Sequence, residues 1–168
     1  MKKILLLLLF SISFAFSQES INYQTPSSEI LELVEYDRPP SVTYDRDKNF
    51  MLFLYRDNYK SIEDLSQKEL RLAGLRINPK KNIGSRITYY NNVKIKNLKS
   101  KNPEINDIIG IPNNPLIANI NWSPNQKNIA FTNTSSDGVR LWVLNLESRS
   151  LTKLTDLKLN SNIGDVIN

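Results

Sequence analysis

The 168-residue chain contains neither cysteine nor histidine. The first absence removes disulfides, thiol nucleophiles and thiolate metal ligands; the second removes imidazole ligands and any hydrolytic triad whose base is histidine. Glycine is scarce, and Gly74, Gly84, Gly110, Gly138 and Gly164 stand singly, so they form no phosphate-binding constellation. No apolar run reaches the roughly 18 residues that a membrane-spanning helix requires. What is present is ordinary: 40% hydrophobic and 23% charged residues exclude wholesale disorder, collagen-like and coiled-coil architectures. The length fits one domain or a piece of a larger one.

Lys2 and Lys3 precede an apolar run from Ile4 that reaches Phe16, and Ala15 and Ser17 bracket a cleavage point before Gln18. This is the three-part pattern of a secretory signal peptide over residues 1–17, and it predicts export to the periplasm or the medium. No cysteine follows the cut, so no lipid anchor is expected and no membrane anchor remains once the signal is removed. The cut also lowers the excess of basic residues from five to three, too small to argue for a nucleic-acid partner. Lys94, Lys96, Lys99 and Lys101 alternate with Val93 and Ile95 as the solvated face of a strand does, without an aromatic ladder beside them.

Laid over itself, the chain repeats. Val42 to Phe53 aligns without gaps on Ile120 to Phe131, each segment reading strand, turn, strand, with Tyr44 and Trp122 closing the first strand. Val93 to Lys101 aligns on Leu141 to Arg149 at a smaller spacing, so about 30 residues are inserted into the first copy between its second and third strands. The remaining repeat of about 48 residues matches a four-stranded propeller blade. The fold expected is all-β: a partial β-propeller of two blades and the start of a third. Blade one covers residues 39–112 with an insert near 57–86, blade two 113–157, and 158–168 opens blade three. Strands in blade two are expected near Ile117–Trp122, Asn128–Thr132, Val139–Leu146 and Ser150–Leu154. Because closure takes typically four to eight blades, a longer protein is expected; the alternative is a small two-sheet sandwich.

Before the repeats, residues 18–38 form a lead segment. Thr25 as N-cap, Pro26 at the first helical position and the apolar Ile30, Leu31 and Val34 predict a short helix packed on the propeller, ended ahead of Pro39 and Pro40. Within the insert, Ser61 is placed to cap a helical segment carrying Ile62, Leu65 and Leu72 that Gly74 ends. The insert is expected on the rim, where it either meets partners or packs.

No catalytic, cofactor-binding or metal-binding residue emerges. The carboxylate pairs Asp45 with Asp47 and Glu63 with Asp64 lack the ligand density of a calcium loop and read as turn and cap residues. Trp122 and Trp142 read as blade core.

The strand motifs Asn121 to Phe131, Leu141-Trp142-Val143 and Lys153-Leu154-Thr155-Asp156 resemble the repeats of TolB-like and prolyl oligopeptidase propellers. Joined in order to Pro26–Val34, Leu72–Pro79, Ser85–Tyr90 and the ending Leu159–Asn168, they resemble the N-terminal part of exported serine peptidases of the prolyl oligopeptidase family, close to its glutamyl endopeptidase branch. The resemblance implies a propeller covering a C-terminal α/β-hydrolase domain and controlling the entry of peptide substrates. That domain is absent here, since the chain has no G-x-S-x-G elbow and no histidine. The fragment is therefore expected to be inactive alone and to use no cofactor. The alternative is a noncatalytic TolB-like propeller that binds a protein partner in the periplasm.

Overall fold

The structure is a computed structural model that describes residues 24–162 and residue 167. The expected signal peptide, and the expected blade-three strand apart from Ile167, lie outside the described residues. The chain divides into two compact units, 1–36 and 37–168. In the first, helix α1 spans Ser28–Val34 and buries none of its residues. Ser27, not Thr25, holds the N-cap position, and Pro26 lies before the helix rather than in its first turn.

Among the described residues the second unit is all-β apart from one short helix, α2 (Ile62–Ser66). Its first sheet is built from β1 (Ser41–Tyr44), β2 (Phe50–Tyr55), β6 (Asn92–Asn97) and β7 (Ile105–Asp107), in that order. Its second sheet runs β8 (Ile117–Trp122), β9 (Asn128–Ser135), β10 (Gly138–Asn145) and β11 (Leu151–Lys153). Both are antiparallel meanders, so every strand lies beside its neighbour in the sheet order. The predicted second-sheet strands match these to within a few residues.

Apart from a register shift in β8 between Ala118 and Asn121, the two sheets repeat each other in register as well as in order. Thr43 faces Leu52 and Tyr44 faces Met51; at the aligned positions, Asn121 faces Ala130 and Trp122 faces Ile129. Leu52 faces Ile95 and Phe53 faces Lys94, while Ala130 faces Val143 and Phe131 faces Trp142. The turns match too. Asp45 Oδ1 accepts the amide of Phe50 (2.7 Å), and Ser123 Oγ accepts that of Asn128 (3.0 Å). Lys48 and Gln126, at the same place in each turn, have positive φ of 54° and 55°. A short polar acceptor one residue past the strand and a left-handed residue three further on close this reversal in both copies.

The sheets pack by unlike faces. Leu52, Leu54, Val93 and Ile95 of the first sheet share one buried cluster with Ile129, Phe131, Leu144 and Leu146 of the second, and half-buried Trp122 and Trp142 lie against it. By the alignment, Ile129, Phe131 and Leu144 correspond to Met51, Phe53 and Lys96, which lie on the opposite face of the first sheet. That opposite face is left partly open: Val42 is 43% exposed and Tyr44 50%. Beyond the second sheet, Leu159 bridges Val139 and Ser161 bridges Ile83.

The insert corrects the expected helical reading. Only Ile62–Ser66 is helical, and the rest is a three-stranded antiparallel sheet of β3 (Leu70–Leu72), β4 (Leu75–Asn78) and β5 (Ile83–Gly84). Leu72 pairs with Leu75 across Ala73 and Gly74, both at positive φ (47° and 87°), so Gly74 serves a two-residue type I′ hairpin turn and not a helix end. The cap at Ser61 is formed as expected: its hydroxyl accepts the Asp64 amide at 3.1 Å.

Candidate functional site

In an antiparallel meander, alternate connections collect at the same end. The approach to β1, the exit from β2 and the return into β6 therefore share one end of the first sheet, next to the segment entering β8. Arg38, Arg56 with Asp57, Asn91 with Asn92, and Asn114–Leu116 line a cleft of about 820 Å³ there. A second cleft of about 610 Å³ shares Arg38, Arg56, Asp57, Asn91 and Leu116 with the first and continues along the insert past Glu69, Ser85 and Tyr89.

Glu69 organises the insert. Its side chain is 16% exposed and accepts from Arg71 Nε at 2.9 Å, Arg76 Nη1 at 3.0 Å and Arg86 Nε at 3.2 Å, and from the Ser85 hydroxyl. The Ser85 hydrogen bond first, then Arg71 and the other guanidiniums, favour the ionised form and hold this carboxyl at about 2 against the ordinary 4.5. One carboxylate thus ties β3, β4 and the segment after β5 together. Asn78, only 7% exposed, adds a second tie: its Nδ2 donates to Gln67 at 2.6 Å and its Oδ1 accepts the amides of Lys80 and Lys81. The Tyr89 phenol, at the cleft wall, has its pKa pushed up by burial.

The cleft is rich in cations. Arg38, Arg56, Lys60, Arg71, Lys81 and Arg86 line its insert portion against three carboxylates, Asp57, Asp64 and Glu69. Glu69 is taken by its arginines, Asp64 by Ser61 and Gln67, and Asp57 accepts from Asn91 Nδ2 at 2.7 Å. Lys60 donates to the Ile87 carbonyl. Among the described residues, Arg38, Arg56 and Lys81 form no ion pair, and the Nε–H of Arg56 is buried without an acceptor.

The residues weighed in the sequence lie elsewhere. Asp45 is 3% exposed and spends one oxygen on the turn amides of Asn49 and Phe50, both at 2.7 Å, while Asp47 is exposed. Asp64 belongs to the α2 cap. Lys94 pairs with Asp107 at 3.0 Å on the open face of the first sheet; this hydrogen bond and charge raise its pKa. Among the described residues no three acidic side chains gather to hold a metal. Sequence reading missed Arg38 and Arg56 because they stand 18 positions apart and come to line one cleft only through the meander.

These features define a class: an all-β module of repeated four-stranded antiparallel sheets that carries a cationic cleft and no histidine-based hydrolytic machinery. The chain is 31% identical over 150 residues, 83% of its length, to a protein of Arabidopsis thaliana named probable glutamyl endopeptidase, chloroplastic. It is 29% identical over 157 residues, 86% of its length, to the protein of the same name from Oryza sativa subsp. japonica. The chain spans about a sixth of the length of these curated relatives (16% and 17%), so the similarity is to part of a peptidase-related protein. No protein-family model matches it.

Proposed function

We propose that this chain is the propeller portion of an exported serine peptidase, controlling peptide access to a hydrolase domain that the chain itself does not contain. The observation that carries the propeller is the unlike-face packing of two register-matched sheets. When face A of one copy packs on face B of the next, the contact is heterologous, and it propagates until a rotation closes it into a ring. The open Val42, Tyr44 and Met51 face of the first sheet is the counterpart of the face that the second sheet buries, which is the surface a further blade covers in a closed ring. A sandwich of two sheets gives no reason for matched registers together with unmatched faces.

The peptidase assignment is supported by similarity to plant proteins named as glutamyl endopeptidases, and the prolyl oligopeptidase branch by the motif order from Pro26 to Asn168. Export is supported by the Lys2-Lys3 and Ile4–Phe16 pattern. For access control, the reading is supported by the missing histidine-based triad: with that hydrolytic machinery elsewhere, the part left to this module is to admit, exclude or hold peptides.

The test is the reading frame beyond the codon of Asn168. Further four-stranded repeats followed by a G-x-S-x-G elbow, an aspartate and a histidine are expected. Repeats without a hydrolase would replace this proposal with a binding propeller, and a stop codon at that point would overturn both. In parallel, the purified 168-residue chain is expected to leave a glutamyl reporter peptide intact; hydrolysis proportional to its concentration would refute the division of labour.

A further inference from the structure

The outermost strands of a sheet present N–H and C=O groups without a ladder partner, and folded proteins block such edges with charge, bulges or a covering segment. Most edges here are blocked. Tyr90 exchanges two backbone hydrogen bonds with Ile117 (2.8 and 2.9 Å) at the start of β8, and the register shift around Asn119, at a φ of 50°, distorts the rest of that edge. Ile109, just past β7, bridges Ser150, just before β11, so each of those two edges is met at one end by the other. Ile83 of β5 bridges Ser161, and β3 is three residues long with Arg71 at its centre.

The edge of β1 has no such block. Among the described residues no bridge reaches Ser41–Tyr44 from the side away from β2. The strand carries no charge, and valine, threonine and tyrosine are strong strand formers. Its hydrogen-bonding phase is fixed by the turn, where the Asp45 amide donates to the Phe50 carbonyl at 3.3 Å. Bonded and non-bonded pairs alternate along an antiparallel ladder, so Ser41 and Thr43 also turn their N–H and C=O groups to β2. Val42 and Tyr44 turn theirs to the open edge, where neither finds a partner among the described residues.

We infer that the open edge of β1 takes an extended peptide as a fifth strand of the first sheet, bonded through the backbone groups of Val42 and Tyr44. The edge identifies its partner: a donor and an acceptor that recur every second residue, about 6.8 Å apart, are the complement of a polypeptide in strand conformation. Beside them the exposed Val42 and Tyr44 side chains, with half-buried Met51 and Phe53 behind, favour uncharged, apolar residues at alternate positions of that peptide. That the strand arrives as a separate peptide rests on the proposed function, in which the first strand of each blade borders the central channel. The site is the strand's edge, so it stays open when a further blade covers the sheet's face.

The test is fluorescence anisotropy with the 168-residue chain and a labelled octapeptide of alternating valine and threonine, blocked at both ends so that it carries no charge. Backbone N-methylation at every second residue is expected to weaken binding at least tenfold in one phase and less than threefold in the other, because only one set of amides faces β1. Val42→Pro removes an outward N–H while sparing the bonds of Ser41 and Thr43 to β2, and is expected to lose at least tenfold, whereas Val42→Thr keeps binding. No binding, equal losses in the two phases, or undiminished binding by Val42→Pro would overturn the inference. If Val42→Pro fails to melt cooperatively, hydrogen exchange in the unaltered chain decides: saturating peptide is expected to protect the Val42 and Tyr44 amides at least tenfold and to leave Thr43 unchanged, and no such gain would overturn the inference. A dimer of the chain that Val42→Pro disperses would assign the edge to a second copy and also overturn it. The readout is binding, so a reading frame without a hydrolase would refute the peptidase reading and leave a positive result here standing, and a failure here leaves that reading to the frame.

Discussion

Asp45 and Ser123 perform the same task with different side chains, and the repeat thereby supplies its own control. Asp45 is almost fully buried and holds the amides of Asn49 and Phe50, whereas Ser123 holds the amide of Asn128. Asp45→Ala strands two donors beneath the turn, and leaving a buried donor without its acceptor costs about 1–3 kcal/mol. A loss of about 2–3 kcal/mol is expected in urea unfolding. Asp45→Ser restores the partner that the second copy uses and is expected to cost less than about 1 kcal/mol. A second residue-scale expectation follows from Glu69. Its folded pKa, about 2, lies below the ordinary 4.5, so the folded state binds fewer protons than the unfolded state between those values. The stability it contributes is complete above pH 4.5 and disappears as the pH falls through about 2. The protection factor of the Ser85 amide, bonded to the Arg76 carbonyl at 2.8 Å, is expected to fall as the pH drops through that window in the native protein and to stay level in Glu69→Gln.

At the scale of elements, strands and turns in the two main sheets were legible because apolar alternation, turn residues and internal alignment agree. The insert was misread for a specific reason. Ile62, Leu65 and Leu72 fit a helical stripe, but Leu70, Leu72, Leu75 and Ile77 fit two strands around a two-residue turn, and Ala73-Gly74 is that turn. Ala at the first turn position lacks the asparagine that usually signals it. Ala73→Asn should relieve the positive φ of 47° at that residue and raise stability by about 0.5–1 kcal/mol. A melting temperature that falls would contradict the I′ assignment. The predicted N-cap at Thr25 moves two residues to Ser27, which stands nearer the apolar run and takes the position with extended backbone and no side-chain cap bond.

For the unit formed by residues 37–168, the unlike-face packing leaves the apolar Leu144 and Met51 in unequal surroundings. Leu144 is fully buried between the sheets, and its counterpart in the repeat, Lys96, lies on the open face beside Met51. Leu144→Ala is expected to cost about 2–5 kcal/mol by opening a cavity in the shared core. Met51→Ala, on the half-buried outer face, should cost less than about 1.5 kcal/mol in the 168-residue chain. If a longer product of the same frame closes the proposed ring over Met51, the second cost should approach the first. Equal and small costs in both lengths would tell against ring closure through that face.

Composition and pattern alone determined the exclusions, the all-β class, the repeat and the main strand positions outside the insert, because each depends on residue type or on spacing along the chain. The missing histidine removes the triad base in any fold, and period-two alternation marks a half-buried strand wherever that strand packs. Only the tertiary structure decided which sheet faces meet, that Glu69 gathers three arginines, and that Arg38 and Arg56, neither ion-paired among the described residues, line one cleft. Those outcomes are set by burial and by distances between residues far apart in sequence, and neither is encoded at any single position along the chain.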